Sequence, residues 1–304
     1  MELDEIDSEL VRRLHQEGRL SYEALAQAVG LSRTAVRARL DRLMESGGLR
    51  VVGVLHPTIL GVTALAHLTI THSGDGASIT GPIAELQDAV FVSIVVGRPG
   101  IVAELQCRDL ETLDRALTEI RALEPVRRVE TAIYTRVLKN TSAPVGRPSS
   151  LEFDAIDVQV IGQLQRDGRI PFAELAKRVA LSPSAARTRV LRLIEVGLIQ
   201  ITGILNPTVF GMTEMCGFDL TLDGRDDDAV LRQIARMGSV DYLAASIGRA
   251  DAVGTLIARQ RSEIRSSLES IRELAGVTGV ESWVHVDLVK ERYERPIESL
   301  SVRR

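Results

Sequence analysis

Residues 3–43 read LDEIDSELVRRLHQEGRLSYEALAQAVGLSRTAVRARLDRL, and residues 153–193 read FDAIDVQVIGQLQRDGRIPFAELAKRVALSPSAARTRVLRL. The second stretch repeats the first 150 residues later, with the same order of acids, Gly-Arg, Leu-Ser and arginines. Agreement over this length indicates an internal duplication. We therefore expect two copies of one folding unit in the chain.

The repeat extends well beyond this stretch. VETAIYTRVLK (129–139) matches VESWVHVDLVK (280–290), and the join NTSAPVGRPSS, which begins at residue 140, lacks apolar periodicity, as a linker does. The predicted domains, in chain order, are a winged helix-turn-helix over 1–56, a ferredoxin-like sensor domain over 62–139, a linker over 140–151, a second winged helix-turn-helix over 152–206 and a second ferredoxin-like sensor domain over 212–292.

Each copy begins with three short predicted helices. In the first copy Ser21 and Ser32 can cap the second and third helices, and Gly30 can end the second in the left-handed conformation. Two short helices joined by such a turn form a helix-turn-helix. In the second copy Ala180 replaces Gly30, which is unfavourable only if that residue needs a positive φ.

The remainder of each copy has a different rhythm. LRVVGVL (49–55) shows the β-branched alternation of a wing, and the elements after it follow the order βαββαβ, the ferredoxin-like unit. In the first copy the predicted strands are 64–70, 90–97, 101–107 and 126–139, and the predicted helices are 81–89 and 110–123. Such a sheet has helices on one face only, so we expect the second copy to cover the other face as an intramolecular pseudo-dimer. The predicted fold class is α+β.

Composition limits the partners of the chain. The formal net charge of -4 weakens the case for a globally basic DNA binder and leaves room for local basic segments on an acidic body. Cys107 and Cys216 lie far apart and outside metal-ligand spacing, so we expect them in the core and expect neither a metal nor a cofactor. The acidic N-terminus is no secretory signal, and no apolar run approaches the roughly 20 residues of a membrane span. We expect a cytoplasmic protein without a membrane partner.

The third helix of each copy carries the candidate DNA contacts. It is the second helix of the pair, the one that enters the major groove, and arginine can bind guanine or phosphate with both arms of its fork. The candidates are Ser32, Arg33, Thr34, Arg37 and Arg39, and Ser182, Ser184, Arg187, Thr188 and Arg189. Arg39 and Arg189 lie to the side, where they could reach phosphates or pair with the acidic first helix. The alternative is a solvated basic face without a DNA role.

In these motifs the chain resembles the Lrp/AsnC (leucine-responsive, feast/famine) family of bacterial and archaeal regulators. The shared features are the D-x-I-D start at residues 4–7 and 154–157, Gly-Arg before the second helix, the LS-x-[ST] helix, and the V-E-[TS] final strand. The resemblance covers nearly the whole chain twice, as in a fused dimer. It implies a sequence-specific regulator that binds double-stranded DNA, responds to an amino acid or related small molecule, and forms a dimer or tetramer of tandem chains.

The resemblance also suggests effector residues in the sensor domains. They are Gly97, Arg98, Gly100 and Thr131 in the first copy, and Gly248, Arg249, Asp251 and Ser282 in the second. The loop after the second sensor strand reads GRPG in one copy and GRAD in the other, so the acid of the family's G-x-x-D pattern is present only once. We therefore expect two unequal sites. The alternative is that Gly97 and Gly248 only shape hairpin turns.

The sequence leaves two other functions open. Siroheme decarboxylases are similar to this family and would be expected to carry histidines in the sensor loops. Here the histidines do not form a repeated pair at one aligned site, and His67 is aligned with Gly217. The expectation is that the chain is not an enzyme. The other alternative is a ligand sensor that has lost DNA binding.

Overall fold

The computed structural model describes residues 3–97, 99–141, 143–146, 148–206, 209, 214–291 and 297. The chain forms two compact units. The helical unit takes in residues 1–59, 141–212 and 294–304, and the barrel unit takes in residues 60–140 and 213–293. Each unit contains the corresponding part of both copies. None of the helices in the described residues is both long enough and apolar enough to cross a membrane.

The helices and strands of the two copies correspond one to one. In the first copy they are α1 (Glu5–Gln16), α2 (Tyr22–Val29), α3 (Arg33–Glu45), β1 (Leu49–Leu55), a 3-10 turn (Pro57–Leu60), β2 (Ala64–His72), α4 (Ala77–Glu85), β3 (Ala89–Val96), β4 (Ile101–Cys107), α5 (Leu110–Arg121) and β5 (Val126–Asn140). In the second copy they are α6 (Ala155–Arg166), α7 (Phe172–Arg178), α8 (Pro183–Glu195), β6 (Ile199–Leu205), β7 (Glu214–Leu222), α9 (Asp227–Ala235), β8 (Val240–Gly248), β9 (Ala252–Ala258), α10 (Arg261–Arg272) and β10 (Val277–Glu291).

The predicted helix-turn-helix is confirmed in its local chemistry. The Ser21 side chain accepts a hydrogen bond from the Ala24 amide, and the Ser32 side chain accepts one from the Ala35 amide. These bonds satisfy amides that the first turn of a helix leaves free. Gly30 ends α2 with a φ of 68°, the left-handed conformation that glycine adopts without steric cost.

The second copy makes the same turn with a less suitable residue. Ala180 has a φ of 54°, so its backbone adopts the left-handed conformation. This conformation costs a residue with a Cβ about 1–2 kcal/mol. We expect Ala180→Gly to raise the free energy of unfolding by about 1 kcal/mol, once the greater freedom of glycine in the unfolded chain is subtracted. Urea unfolding followed by circular dichroism measures this change.

The first copy offers the matched control. A Cβ added at Gly30 meets no heavy atom within 4 Å, so Gly30→Ala changes the backbone preference and little else. We expect that substitution to destabilise the protein by a similar amount. An Ala180→Gly variant that unfolds at a lower urea concentration than the parent would contradict this account.

The strand predicted as a wing finds its partner in the other copy. β1 pairs antiparallel with β6 to form a two-stranded sheet, with Val52 opposite Thr202. A wing was expected from the β-branched pattern, which carries no information about the pairing partner. The pairing joins the two helix-turn-helix domains within one unit, as the duplication allows.

The barrel unit confirms the βαββαβ sensor domains and their pseudo-dimer. The strand orders are β3-β4-β2-β5 in one copy and β8-β9-β7-β10 in the other. The last strand of each copy is 15 residues long. Its first part pairs within its own sheet, and its second part pairs with the other sheet, β5 with β8 and β10 with β3. The two sheets thereby close into an eight-stranded barrel.

Helices cover the outer face of each sheet, and the two inner faces share an apolar core. This interior cluster consists of Phe91, Val95, Val102, Ala132, Tyr134, Ala244, Ala250, Val253 and Trp283. One predicted helix was misplaced. α4 spans Ala77–Glu85 and not 81–89. The prediction placed Pro82 near the first helical position, which proline favours, whereas the structure places it in the second turn.

Candidate DNA interface and sensor site

The two third helices present the predicted residues to solvent. On α3 the exposed positions include Arg33, Thr34 and Arg37, while Val36, Leu40 and Leu43 are buried. On α8 the exposed positions include Ser184, Arg187 and Thr188, while Ala186, Val190 and Leu193 are buried. Ser32 and Ser182 cap the two helices. Each helix therefore has one face fixed in the core and one polar, arginine-bearing face available to a partner.

The two exposed faces differ in charge pairing. Arg37 lies 3.7 Å from the Asp41 carboxylate, between Nε and Oδ2. Leu191 stands at the position of Asp41 in the second copy and is 44% exposed. Within the described residues Arg187 has no ion-pair partner. Pro183 also replaces Arg33 as the first residue of the helix.

Arg39 and Arg189 pair with the acidic first helix, one of the two roles that the sequence left open. Arg39 Nη1 lies 2.9 Å from Asp7 Oδ1 and 2.5 Å from Asp4 Oδ2. Arg189 Nη1 lies 2.8 Å from Asp157 Oδ1. Asp7 and Asp157 are each 1% exposed, and a buried carboxylate requires a partner. A DNA contact by these two arginines stays a prediction.

The glycines of the sensor loops serve hairpin turns. Gly97, Gly100 and Gly248 have φ values of 115°, 107° and 113°, where a side chain is strained. Each loop also lies against the final strand of the other copy. A Cβ at Gly248 would lie 2.4 Å from the Thr131 carbonyl oxygen, and one at Gly97 would lie 3.6 Å from the Ser282 carbonyl oxygen. Arg98 lies outside the described residues.

Arg249 is held by three protein carboxylates. Its Nε donates to Asp219 Oδ2 at 2.9 Å, Nη1 to Glu130 Oε2 at 3.1 Å and Nη2 to Glu281 Oε2 at 2.6 Å. Burial raises the pKa of the Asp219 carboxyl, and Arg249 opposes that rise. The predicted effector residue Arg249 therefore connects β5 of the first copy with the second copy.

Asp251 lines an open pocket of about 430 Å³ in the barrel unit. The lining residues are Thr135, Arg136, Leu222, Asp227, Asp228, Leu231, Ala245, Ser246 and Asp251. The pocket holds three carboxylates and one guanidinium, and that guanidinium, of Arg136, is bound to Asp228. Asp251 Oδ2 accepts a hydrogen bond from the Leu222 amide at 2.8 Å. The pocket lining thus combines acidic and apolar side chains.

The corresponding position in the first copy is filled differently. His72 aligns with Leu222, and Gly100 aligns with Asp251. A Cβ at Gly100 would lie 3.0 Å from His72 Nε2, and one at Gly76 would lie 3.1 Å from His72 Cε1. The imidazole therefore occupies the space beside Gly100 where the second copy places a carboxylate.

Two histidines that the sequence did not bring together face the barrel interior. His67 on β2 stacks on Trp283 with 5.3 Å between ring centroids, and His285 on β10 meets the edge of Phe91 at 5.4 Å. Their positions are not aligned, since His67 corresponds to Gly217 and His285 to Tyr134. The alternation of inward and outward residues along the two strands was the signal that could have placed both histidines inside.

One ring nitrogen of His285 is hydrogen-bonded and the other is not. Nδ1 lies 3.0 Å from Ser93 Oγ, a hydrogen bond that either neutral tautomer of the imidazole can make. Burial and then the nearby His67 lower the pKa of His285 to about 4. The imidazole is therefore neutral at pH 7, and its Nε2 is buried without a hydrogen-bond partner.

The comparison with known proteins agrees with this architecture. The sequence model of the AsnC-type helix-turn-helix domain matches residues 3–44 and 153–194, and that of the Lrp/AsnC ligand binding domain matches residues 63–144. An uncharacterized HTH-type transcriptional regulator of Pyrococcus abyssi is 30% identical over 142 residues, 46% of this chain and 90% of that protein. The chain belongs to the Lrp/AsnC family.

A second relative of this Lrp/AsnC chain is also a regulator by name. The leucine-responsive regulatory protein of Escherichia coli is 41% identical over 73 residues, which is 24% of this chain and 44% of that protein. The coarse function therefore follows from the family, which is one of transcriptional regulators with a ligand binding domain. The predicted resemblance and fold class are confirmed.

A solved structure has the tandem architecture of this Lrp/AsnC chain. The siroheme decarboxylase NirDL, in complex with an iron-uroporphyrin III analogue, superposes with a TM-score of 0.64 and 14% identity. The superposition covers 96% of this chain and 94% of that one. At this identity the likeness shows the fold alone, and it shows that the duplicated Lrp/AsnC fold occurs in an enzyme.

This finding corrects the expectation that the chain is not an enzyme. That expectation depended on the absence of an aligned histidine pair. The decarboxylase has the same tandem fold, so the Lrp/AsnC architecture does not exclude catalysis. The fold also places both His67 and His285 in the barrel interior, which alignment of the two copies does not reveal.

Proposed function

We propose that the chain is a sequence-specific DNA-binding transcription regulator with two unlike DNA-binding heads in one polypeptide. The heads are the two helix-turn-helix domains, which carry α3 and α8. The observation that carries this proposal is the exposure of Arg37 on α3 and Arg187 on α8, each opposite a fully buried apolar face. A helix held in this way can enter the major groove and present its arginines to bases and phosphates.

The two heads favour a site made of two different half-sites. The helices begin with RTAVRAR on α3 and PSAARTR on α8. Arg37 is paired with the Asp41 carboxylate, whereas Leu191 stands at the corresponding position on α8. A dimer of identical subunits requires a palindrome, while a fused pair with unlike helices does not. The residues proposed to contact DNA are Ser32, Arg33, Thr34, Arg37, Arg39, Ser182, Ser184, Arg187, Thr188 and Arg189.

Selection of duplexes from random sequence, followed by binding titrations at several salt concentrations, tests this function. Wild type should bind with a steep salt dependence, because phosphate contacts release counterions. Arg37→Ala and Arg187→Ala should each weaken binding about tenfold, within the roughly 1–3 kcal/mol expected for an arginine at a base or phosphate.

Arg115→Ala, an exposed arginine paired with Glu111 on α5, is the matched control and should leave affinity unchanged. Two results would refute the proposal: tight binding that does not depend on salt, or affinity that the head variants share with the control. Recovery of perfect palindromes alone would refute the unlike half-sites.

The acidic pocket supports a small effector that carries an ammonium group. Asp227, Asp228 and Asp251 supply negative charge, and Leu222 and Leu231 supply an apolar wall. An amino acid with an apolar side chain fits this chemistry, with its ammonium at the carboxylates. His72 beside Gly100 in the first copy supports a single effective site in each chain.

Assembly of several chains is supported by exposed apolar residues on the barrel. Val96 and Val286 are 63% and 58% exposed, and Val284, opposite Val96 in the sheet, is 38% exposed. A cluster of exposed valines is typical of a surface that a partner covers. We propose a dimer or tetramer of tandem chains at this patch.

The second candidate function is chemistry on an iron tetrapyrrole. Two observations favour it. The whole chain shares its fold with a siroheme decarboxylase that was crystallised with an iron-uroporphyrin III analogue, and His67 and His285 place unpartnered imidazole nitrogens in the barrel interior. A neutral imidazole is a common ligand of iron.

A further inference from the structure

The Gly-Arg segment before the second helix of each copy reaches across to the other copy. Arg19 Nη1 donates to the Gly168 carbonyl oxygen at 2.7 Å, and Nη2 donates to that of Ile170 at 2.9 Å. The same guanidinium lies 4.3 Å from the centroid of the Phe172 ring, within the range of a cation–π contact. Arg19 thus makes these three contacts with residues of the second copy.

The second copy returns the contact. Arg169 Nη1 donates to the Gly18 carbonyl oxygen at 2.8 Å, and its guanidinium lies 4.9 Å from the centroid of the Tyr22 ring. We call Arg19, Arg169, Tyr22 and Phe172 the arginine clasp. Gly18 permits the close approach, since a Cβ there would lie 2.8 Å from the backbone of Ile201.

The clasp has an energetic cost that its contacts must offset. Burial lowers the pKa of the Arg19 guanidinium, and the like charge of Arg169 lowers it further. Two cations held near each other repel, so simple packing would favour apolar residues at both positions. Arg19 is instead bound to two carbonyls and Arg169 to one, and each lies over an aromatic ring, which fixes direction and distance as an apolar contact would not.

The clasp is attached where movement would reach the DNA-facing helices. Tyr22 and Phe172 are the first residues of α2 and α7, and α2 and α7 pack on α3 and α8. Resting on the proposed DNA-binding function, we propose that the arginine clasp, together with the β1–β6 sheet that joins the two helix-turn-helix domains, fixes the distance and helical phase between α3 and α8. Arg19 and Arg169 are then positioning residues that set the half-site spacing without contacting DNA.

The test uses the full chain and the duplex chosen by selection. Binding is measured on that duplex, on one with five base pairs inserted between the half-sites, and on one with a single half-site. Insertion of half a helical turn should cost wild type about a hundredfold in affinity, because the second head loses its linked contact. In the double variant Arg19→Ala, Arg169→Ala that penalty should fall below about tenfold, while single half-site affinity stays within about twofold.

Two further variants make the result decisive. Arg115→Ala with Arg265→Ala removes one exposed arginine from each copy, on α5 and α10, and should keep the wild-type penalty. If the alanine variant does not fold, Arg19→Lys with Arg169→Lys takes its place, since lysine keeps the charge but cannot bind two carbonyls as a fork.

An unchanged spacing penalty in a folded clasp variant would overturn the inference and leave the proposed function standing. So would a loss of single half-site affinity equal to the loss on the full duplex, because the arginines would then act on each head alone. A wild-type chain that binds no duplex would refute the proposed function, and the inference with it.

Discussion

A ligand with a free ammonium group should bind once per chain, and Asp251→Asn should weaken that binding about 10- to 100-fold, as expected for loss of one charge-assisted hydrogen bond. The pocket beside Asp251 holds three carboxylates against the single guanidinium of Arg136. Asparagine retains a carbonyl oxygen that can accept from the Leu222 amide, as Asp251 does. The variant therefore removes charge while keeping the loop in place.

Calorimetry with a panel of amino acids measures both affinity and stoichiometry. N-acetylated forms of the same amino acids, which lack the ammonium charge, should not bind. Glu111→Gln removes a carboxylate from the exposed face of α5 and should have no effect. Equal binding at two sites per chain would contradict the inequality of the copies, and equal binding of the acetylated forms would contradict the role of charge.

The helix-turn-helix domains could be predicted from local sequence because their determinants are local. Ser21, Gly30 and Ser32 act on amides and torsions within one turn of themselves, and the buried residues of α3 follow its helical period. The strain at Ala180 is local in the same way, because it depends only on the φ of that residue. The sequence therefore predicts strain there only on the condition that φ is positive.

Features that depend on pairing between distant segments could not be predicted in the same way. β1 carries the pattern of a wing, but only the structure shows that β6 is its partner. The partners of Arg39 were left open for a related reason. Its choice of Asp7 depends on the burial of that carboxylate between helices, which the spacing of charges along the chain does not reveal.

The barrel interior shows how the copies have changed together. His67 pairs in register with Ala132, and the aligned pair in the second copy is Gly217 with Trp283. The large residue thus lies on the first strand in one copy and on the last strand in the other. A Cβ at Gly217 would lie 2.1 Å from Trp283 Nε1, so the indole requires that glycine. Aligned residues alone suggest that the second copy lacks a histidine. The structure shows instead that its bulky side chain, Trp283, stands on the neighbouring last strand.

The tetrapyrrole candidate predicts a large spectroscopic effect. Addition of an iron-uroporphyrin to the protein should shift the Soret band if an imidazole of the interior binds the iron, and both His67→Ala and His285→Ala should abolish or alter that shift. His285 has a pKa of about 4, so its imidazole is neutral at pH 7. The contribution of His285 should therefore persist as the pH falls through 6 and fail as the pH approaches about 4, where the imidazole gains a proton.

A histidine outside the barrel unit separates iron ligation from nonspecific association. His15 contacts the Gly203 carbonyl oxygen in the helical unit, so His15→Gln should leave the spectrum unchanged. Competition with the selected duplex adds a second comparison, because a regulator with no tetrapyrrole chemistry should bind DNA equally well with and without the iron compound. An unshifted Soret band at micromolar protein and ligand would exclude iron binding under those conditions. A shift that survives both barrel substitutions would place the iron elsewhere on the chain and remove His67 and His285 from the second candidate function.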